Sequence, residues 1–352
     1  MMNETGIIKW PGTGQADTSS DTSIGPPSNS FFNGLVPIGG DARFQLVRVS
    51  HTNQELLIPM QLSLSMGFVP SHEIAVYGDI NLASLYVRYQ SSNNPLVKSG
   101  LYPGETDYDL AIQYEPRIDL PSIRAGMIEP SISIRQDDHT LFAHEEAAIN
   151  GIALIPPYYN EMGAELTYEG LRWLTVNAGV FNSYNLSQID PTIGTIKSNF
   201  DFKHPSVSAR IVLWPQLIDQ GLNGELGGSI LANGSFSLLN GFAGIGLADK
   251  ASFFIEGLYC KNSANRIVRN FSVIGKYQLA AWLATEWRYD WGQTEVYPGQ
   301  ALAFANAFLV GLEFYPLPYI EIRPEYRVTQ TTPLSGTGTY TGQWTGQIHF
   351  FY

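Results

Sequence analysis

The chain closes on YTGQWTGQIHFFY, Tyr340 to Tyr352, and the string divides by parity. Tyr340, Trp344, Ile348, Phe350 and Tyr352 fall on one side, and Thr341, Gln343, Thr345, Gln347 and His349 on the other. Side chains alternate across a strand, so this segment needs an apolar medium against one face and a polar one against the other. An aromatic at the apolar end suits a membrane–water interface.

A half-buried strand of a soluble sandwich would show the same alternation once, so its recurrence decides. Leu62, Leu64, Met66 and Phe68 follow Met60 on one parity, with Gln61, Ser63, Ser65 and Gly67 between them. Tyr108, Leu110, Ile112 and Tyr114 alternate with Asp109, Ala111 and Gln113, and Val207, Ala209, Ile211 and Leu213 with Ser206, Ser208 and Arg210. Ile320, Ile322, Tyr326 and Val328 alternate with Glu321, Arg323, Glu325 and Arg327. Strands of about ten residues, apolar on one parity only, are the mark of a transmembrane barrel.

Composition agrees. Only 15% of the 352 residues are charged and 12% are aromatic, against about 25% charged in ordinary soluble domains. Mean hydropathy of -0.06 excludes a bundle of membrane helices, and no run of about 18 apolar residues occurs. The single cysteine, Cys260, allows no internal disulfide and no c-type haem attachment. The opening MMNETGIIKWPGTG lacks a basic segment followed by an apolar core, so it is not a secretory signal. A barrel needs export, and the chain therefore reads as a mature form. Without an early cysteine it does not read as a lipoprotein.

Residues 1–41 are rich in Gly, Ser, Thr, Asp and Pro and form an expected extended arm, with 42–352 as the barrel. Strands are expected near 59–68, 73–80, 83–90, 107–115, 121–128, 160–168, 173–181, 205–214, 223–232, 239–247, 251–259, 269–276, 281–289, 303–315, 319–328 and 340–352. If 73–90 is one strand, Ala42 to Ser50 supplies the missing one. Either way the fold class is all-β: an antiparallel up-and-down barrel of about 16 strands. Counting back from 316–318, alternate connections 277–280, 248–250, 215–222, 169–172 and 116–120 are short. The others, 91–105, 129–159, 182–204, 290–301 and 329–339, hold every long loop.

The aromatic-ended last strand, the GLEFYPLPYIEIRPEYRV hairpin at 311–328 and this loop parity together resemble a Gram-negative outer-membrane β-barrel of the porin type, over roughly residues 42 to 352. The resemblance implies an outer-membrane location, short periplasmic turns, long extracellular loops and passive diffusion of small hydrophilic solutes.

On the polar parity stand Arg124, Arg172, Arg210, Lys276, Arg288, Arg323 and Arg327, with Asp109, Glu165, Glu225, Glu256, Glu286, Glu313, Glu321 and Glu325. They line a wet lumen or pair across neighbouring strands, and Arg323 with Glu313 is one expected cross-strand pair. The 129–159 connection joins the fifth and sixth strands. In general porins the loop at that place folds into the barrel, and the resemblance implies the same here. Asp137, Asp138, His139, Glu145 and Glu146 would then face Arg124, Arg172 and Arg210 across a constriction. The short glycine-rich motif usual in that loop is missing.

Asp137, Asp138, His139, His144 and Glu145 also mix carboxylates with imidazoles, but their spacing fits no standard metal motif, and a solvated acidic loop explains them more simply. No metal and no cofactor is expected. Asp138 and His139 resemble half of a hydrolase pair, yet no nucleophile is picked out, so no enzyme is expected. Trp173, Trp214, Trp282, Trp287, Tyr289, Tyr315, Tyr319 and Tyr326 read as an interfacial girdle, with Trp173, Trp282 and Tyr315 as an alternative lumenal track for sugars. A net charge of -12 argues against nucleic acid as partner and mildly favours cations over anions. Lipid, small hydrophilic solutes and a second copy or a periplasmic or extracellular protein remain as partners. The arm, with Trp10, Pro26-Pro27 and Phe31-Phe32, plugs the lumen, docks a partner or stays disordered. The competing function is a barrel sheathing a multihaem cytochrome, and an outer-membrane enzyme is third.

Overall fold

The computed structural model describes residues 30–31, 35–49, 55–82, 108–117, 119–133, 155, 159–186, 204–214, 216–217, 222–234, 236–247, 250–261, 267–297, 300–333 and 337–351. The first eight long strands are β1 (Val36–Val49), β2 (Glu55–Ser71), β3 (Ile74–Asn81), β4 (Tyr108–Tyr114), β5 (Ser122–Ile128), β6 (Glu161–Leu171), β7 (Leu174–Phe181) and β8 (Ser206–Leu213). The next eight are β9 (Leu222–Asn233), β10 (Phe236–Leu247), β11 (Ala251–Lys261), β12 (Ile267–Ala280), β13 (Leu283–Tyr297), β14 (Gln300–Leu317), β15 (Ile320–Pro333) and β16 (Thr339–Phe351). Two-residue pieces at Ser30–Phe31 and Gln216–Leu217 pair with the starts of β1 and β9.

Each strand pairs antiparallel with its sequence neighbour, and β16 pairs with β1, Ile348 opposite Phe44 and Phe350 opposite Ala42. The sheet is thus a closed sixteen-stranded barrel with no free edge, the condition for strands in hydrocarbon. The β1–β2 register shifts between Arg43 and Phe44, where Pro59 has no N–H to give the ladder.

Side-chain direction follows the alternation read from the sequence. Leu62, Leu64, Met66 and Phe68 point outward and are exposed, as are Val207 and Ile211. Leu110 and Ile112, each 57% exposed, face outward while Ala111 between them is buried. A belt of this kind would be an association surface in water and matches the hydrocarbon of a bilayer.

Aromatics gather at the margins. Trp173, Trp282 and Tyr319 occupy the turns 172–173, 281–282 and 318–319 and are exposed. Trp282 meets Phe314 edge-on at 5.5 Å, and Tyr326 lies 4.5 Å from Trp344. Trp287 and Tyr289 also face outward. Two of the expected girdle residues turn inward instead. Trp214 packs with Val212 and Phe242 and donates its indole N–H to Thr175 Oγ1 at 3.1 Å, and the Tyr315 hydroxyl lies 3.4 Å from Glu313 and Glu321.

At one end the connections are 72–73, 115–121, 172–173, 214–221, 248–250, 281–282 and 318–319. The other end carries 50–54, 82–107, 129–160, 182–205, 234–235, 262–266, 298–299 and 334–338. The long connections fall on one side, as the parity predicts. Expected long loops at 290–301 and 329–339 shorten, because β13, β14 and β15 keep their hydrogen-bonded pairing beyond the apolar band that marks a strand in the sequence. The expected strand at 83–90 lies outside the described residues, and the ring closes without it by pairing Ile80 with Tyr108. Its place in the count is taken by β1, the alternative offered by Ala42 to Ser50, which begins at Val36.

Candidate pore constriction

The segment leaving β5 turns into the barrel at once. Ile132 N–H donates to the Pro130 carbonyl at 2.8 Å, a local turn at the strand end. Ser131 then docks on the β6 wall: its N–H donates to Glu165 Oε2 at 2.8 Å and its hydroxyl donates to Glu165 Oε1. Arg124 of β5 completes this anchor, its Nη2 donating to Glu165 Oε1 at 2.8 Å and to the Glu129 carbonyl at 2.6 Å. A guanidinium and a carboxylate sharing the loop's donors and acceptors form charge-assisted bonds, each stronger than a neutral one.

Two residues on, the chain is held by a different part of the wall. Ser133 N–H donates to Ser229 Oγ of β9 at 2.8 Å, its hydroxyl donates to Glu256 of β11, and its carbonyl accepts from Arg210 Nε of β8 at 2.8 Å. Its φ of 58° is left-handed, a conformation that a serine adopts at a cost of about 1–3 kcal/mol. The bonds on N–H, hydroxyl and carbonyl hold it there. Glu256 is fixed by Asn240 Nδ2 at 2.5 Å, and the Arg210 guanidinium lies 5.3 Å from the Phe242 ring centroid. Residues 131–133 therefore run along the inner wall, from β6 to β8–β11.

Between the two serines, Ile132 enters an apolar core inside the barrel. It packs with Ile155, Tyr159 and Leu186 from the long connections and with inward Leu231, Phe236, Leu238, Leu258, Cys260 and Val268 from β9 to β12. Burial of one such aliphatic side chain is worth about 1.5–3 kcal/mol. This stretch of wall is the place where a water-lined barrel would carry polar groups.

The far end of the loop is pinned as firmly. Tyr159 donates to Glu161 Oε1 at 3.1 Å, and burial together with the adjacent Glu161 pushes its phenol well above the ordinary range, so it stays a donor. Asn185 Nδ2 donates to the Asn160 carbonyl at 2.7 Å, and Asn160 Nδ2 to the Tyr108 carbonyl at 3.2 Å. Asn233 Nδ2 joins Ser183 Oγ at 2.7 Å and the His204 carbonyl at 2.8 Å, tying both ends of the next long connection to β9.

The expected site residues divide. Arg124 and Arg210 meet the loop as described. Arg172 lies in the exposed turn 172–173, at the end of β6 opposite to the one that follows the loop. Asp137, Asp138, His139, Glu145 and Glu146 lie outside the described residues, as does His144.

Arg288, Glu313, Glu321, Arg323, Glu325 and Arg327 all take the inward parity, and the first five are ion-paired. Arg323 Nη2 donates to Glu313 Oε1 at 2.7 Å, the expected pair, and Arg323 Nε lies 3.3 Å from Glu321 and 3.8 Å from Glu325. Lys276 contacts Glu313 at 2.7 Å and Glu286 at 3.3 Å. Arg288, 0% exposed, donates to Asp290 at 2.9 Å, and Ser272 donates to Asp290 at 2.6 Å. Such ladders brace adjacent strands, because removing one member strands a buried charge.

Ser131, Ser133, Ser229 and the apolar wall escaped the sequence reading. A signal existed: in LNGELGGSILAN, FSLLNGFAGIGL and ASFFIEGLYCK apolar residues occupy both parities. Broken alternation in the middle of a barrel marks a wall covered by something other than water.

No family model and no curated protein matches the chain. Solved structures match in fold. The outer membrane channel DcaP of Acinetobacter baumannii is 10% identical with a TM-score of 0.62, covering 90% of this chain and 97% of that one. OprB of Pseudomonas putida is 10% identical with a TM-score of 0.60, over 90% and 94%. A mutant of the Rh. blastica porin is 9% identical with a TM-score of 0.52, over 90% and 100%. At these identities the likeness is one of architecture: the closed sixteen-stranded antiparallel barrel of this chain matches these solved outer-membrane proteins in fold.

Proposed function

We propose that the chain is a porin-like channel of the bacterial outer membrane, through which small hydrophilic solutes or ions diffuse passively past the 129–159 loop. The observation that carries this reading is the docking of Ser131, Ile132 and Ser133 against the inner wall, tied first to Glu165 on β6 and then to Ser229, Glu256 and Arg210 further round the ring. A loop held inside a polar-walled barrel narrows the route without sealing it, and charged groups at the narrowing sort solutes by charge. The acids Asp137, Asp138, Glu145 and Glu146 belong to the same loop and complete the constriction in this proposal. The apolar outer belt suits a barrel in lipid, and the fold shared with solved outer-membrane channels supports the location.

The cytochrome-sheath alternative has less support. A sheath leaves its inner wall for the partner, whereas here Ile132, Ile155, Tyr159 and Leu186 of the chain itself cover β9 to β12. Liposome swelling tests the channel directly. Vesicles carrying the folded protein should swell in isosmotic pentose faster than in a tetrasaccharide, and no swelling in any sugar together with no ion current in a planar bilayer would defeat the proposal.

A further inference from the structure

The inner wall is unevenly covered. On β6 to β14 the inward side chains Glu165, Asn177, Glu256, Asn270, Arg288 and Glu313 are buried. From β15 round the closure to β5, several inward residues are only partly covered: Arg327 on β15, Gln343 and Thr345 on β16, Gln45 on β1, Asp79 on β3 and Gln113 on β4. These positions lie inside strands of a closed sheet, so the space they touch is the interior. The loop anchors are all on the covered arc or at its border, since Arg124 and Glu165 sit on β5 and β6, and Arg210, Ser229 and Glu256 on β8, β9 and β11.

We infer that the solute route is eccentric, running along the β15–β16–β1–β5 arc, and that Asp79 and Asp109 are its charge-selecting residues. This rests on the channel reading above and specifies which wall the solute meets. Asp79 and Asp109 stand opposite each other on neighbouring strands. Each is set by a bond: Ser65 Oγ donates to Asp79 Oδ2 at 2.8 Å, and Asp79 N–H donates to Asp109 Oδ1 at 2.7 Å. Both side chains are only partly buried, so they act on whatever passes. Neutral hydrogen-bonding groups, Gln113, Gln45, Gln343 and Thr345, line the rest of the arc and suit hydrated or hydroxylated solutes.

The chain supplies its own reporter for the opposite wall. Cys260 points inward on β11 and is 0% exposed, packed in the core that holds Ile132. The test uses the folded, full-length protein, the variants Q113C and T345C, and a charged methanethiosulfonate as probe, with labelling followed by mass and current followed in a bilayer. The thiols introduced at positions 113 and 345 should label and the current should fall by roughly half, while Cys260 in the parent stays unlabelled and the parent's current unchanged. D79N and D109N should each lower the cation-to-anion permeability ratio by about twofold. Labelling of Cys260 with Q113C and T345C unreactive at the new positions would overturn the route, and an unchanged permeability ratio in both aspartate variants would overturn the selecting pair. A folded parent that carries no current defeats the channel reading alone, because labelling by mass still decides which arc is open.

Discussion

Arg210 Nε donates to the Ser133 carbonyl at 2.8 Å, joining the β8 wall to a loop residue 77 positions earlier. Ser133 also has a left-handed backbone, φ 58°, and its hydroxyl donates a hydrogen bond to Glu256. One residue thus fixes the loop to three strands, and its loss should be felt in both stability and conduction.

Ser133→Ala removes the hydroxyl and leaves the buried Glu256 carboxylate with one donor fewer. A stability loss of about 1–3 kcal/mol is expected, measured as a lower midpoint of urea unfolding with the slope unchanged. Open-channel current noise should rise in the same variant, because the loop entry is freer. A midpoint and noise equal to the parent's would show that the hydroxyl does not hold the loop.

Ile132→Ala opens a cavity in the core formed with Leu231, Leu238 and Leu258. The expected cost is about 2–5 kcal/mol. Cys260 shares that core, so its reaction with a small thiol reagent should speed up well above the parent's rate. An unchanged rate would separate Ile132 from the cover over Cys260.

Glu313→Gln discharges the acceptor shared by Lys276 and Arg323. Removing one partner of a buried ionic group costs about 3–5 kcal/mol when nothing replaces it. Glu286, Glu321 and Glu325 remain nearby, and the loss should fall below that range. Thermal unfolding of the wild type and variant in the same detergent measures it.

The two parities of β4 give a paired test of orientation. Ile112→Arg puts a charge on the apolar belt and should destabilise the inserted barrel by about 2–4 kcal/mol, whereas Gln113→Arg, one residue along and inward, should insert normally. Equal damage from the two would contradict the inside-out assignment.

Much of the architecture was legible because a barrel in lipid imposes its period on every strand. Leu62 to Phe68, Leu110 and Ile112, and Ile348 and Phe350 announce their outward direction by position alone, and the pairing of Arg323 with Glu313 follows once two strands are aligned. The anchors were not legible. Ser131 and Ser133 are ordinary polar residues until the loop's path brings Glu165 and Glu256 to them, and no local pattern encodes that path. Arg172 shows the converse failure: parity assigned it to the lumen, but the strand ended one residue before it. His349 is a further case, its Nε2 lying 2.7 Å from Asp41 and its Nδ1 3.1 Å from Glu321, so the closing strand's polar face serves the seam of the ring as well as the interior.

If the folded chain is a channel narrowed by its own loop, the purified protein alone must conduct when inserted in a planar bilayer. Discrete, long-lived and nearly ohmic current steps are expected, and they should grow when Ile132→Ala loosens the loop. Folded, inserted protein that passes no steady current would contradict both the channel and its constriction.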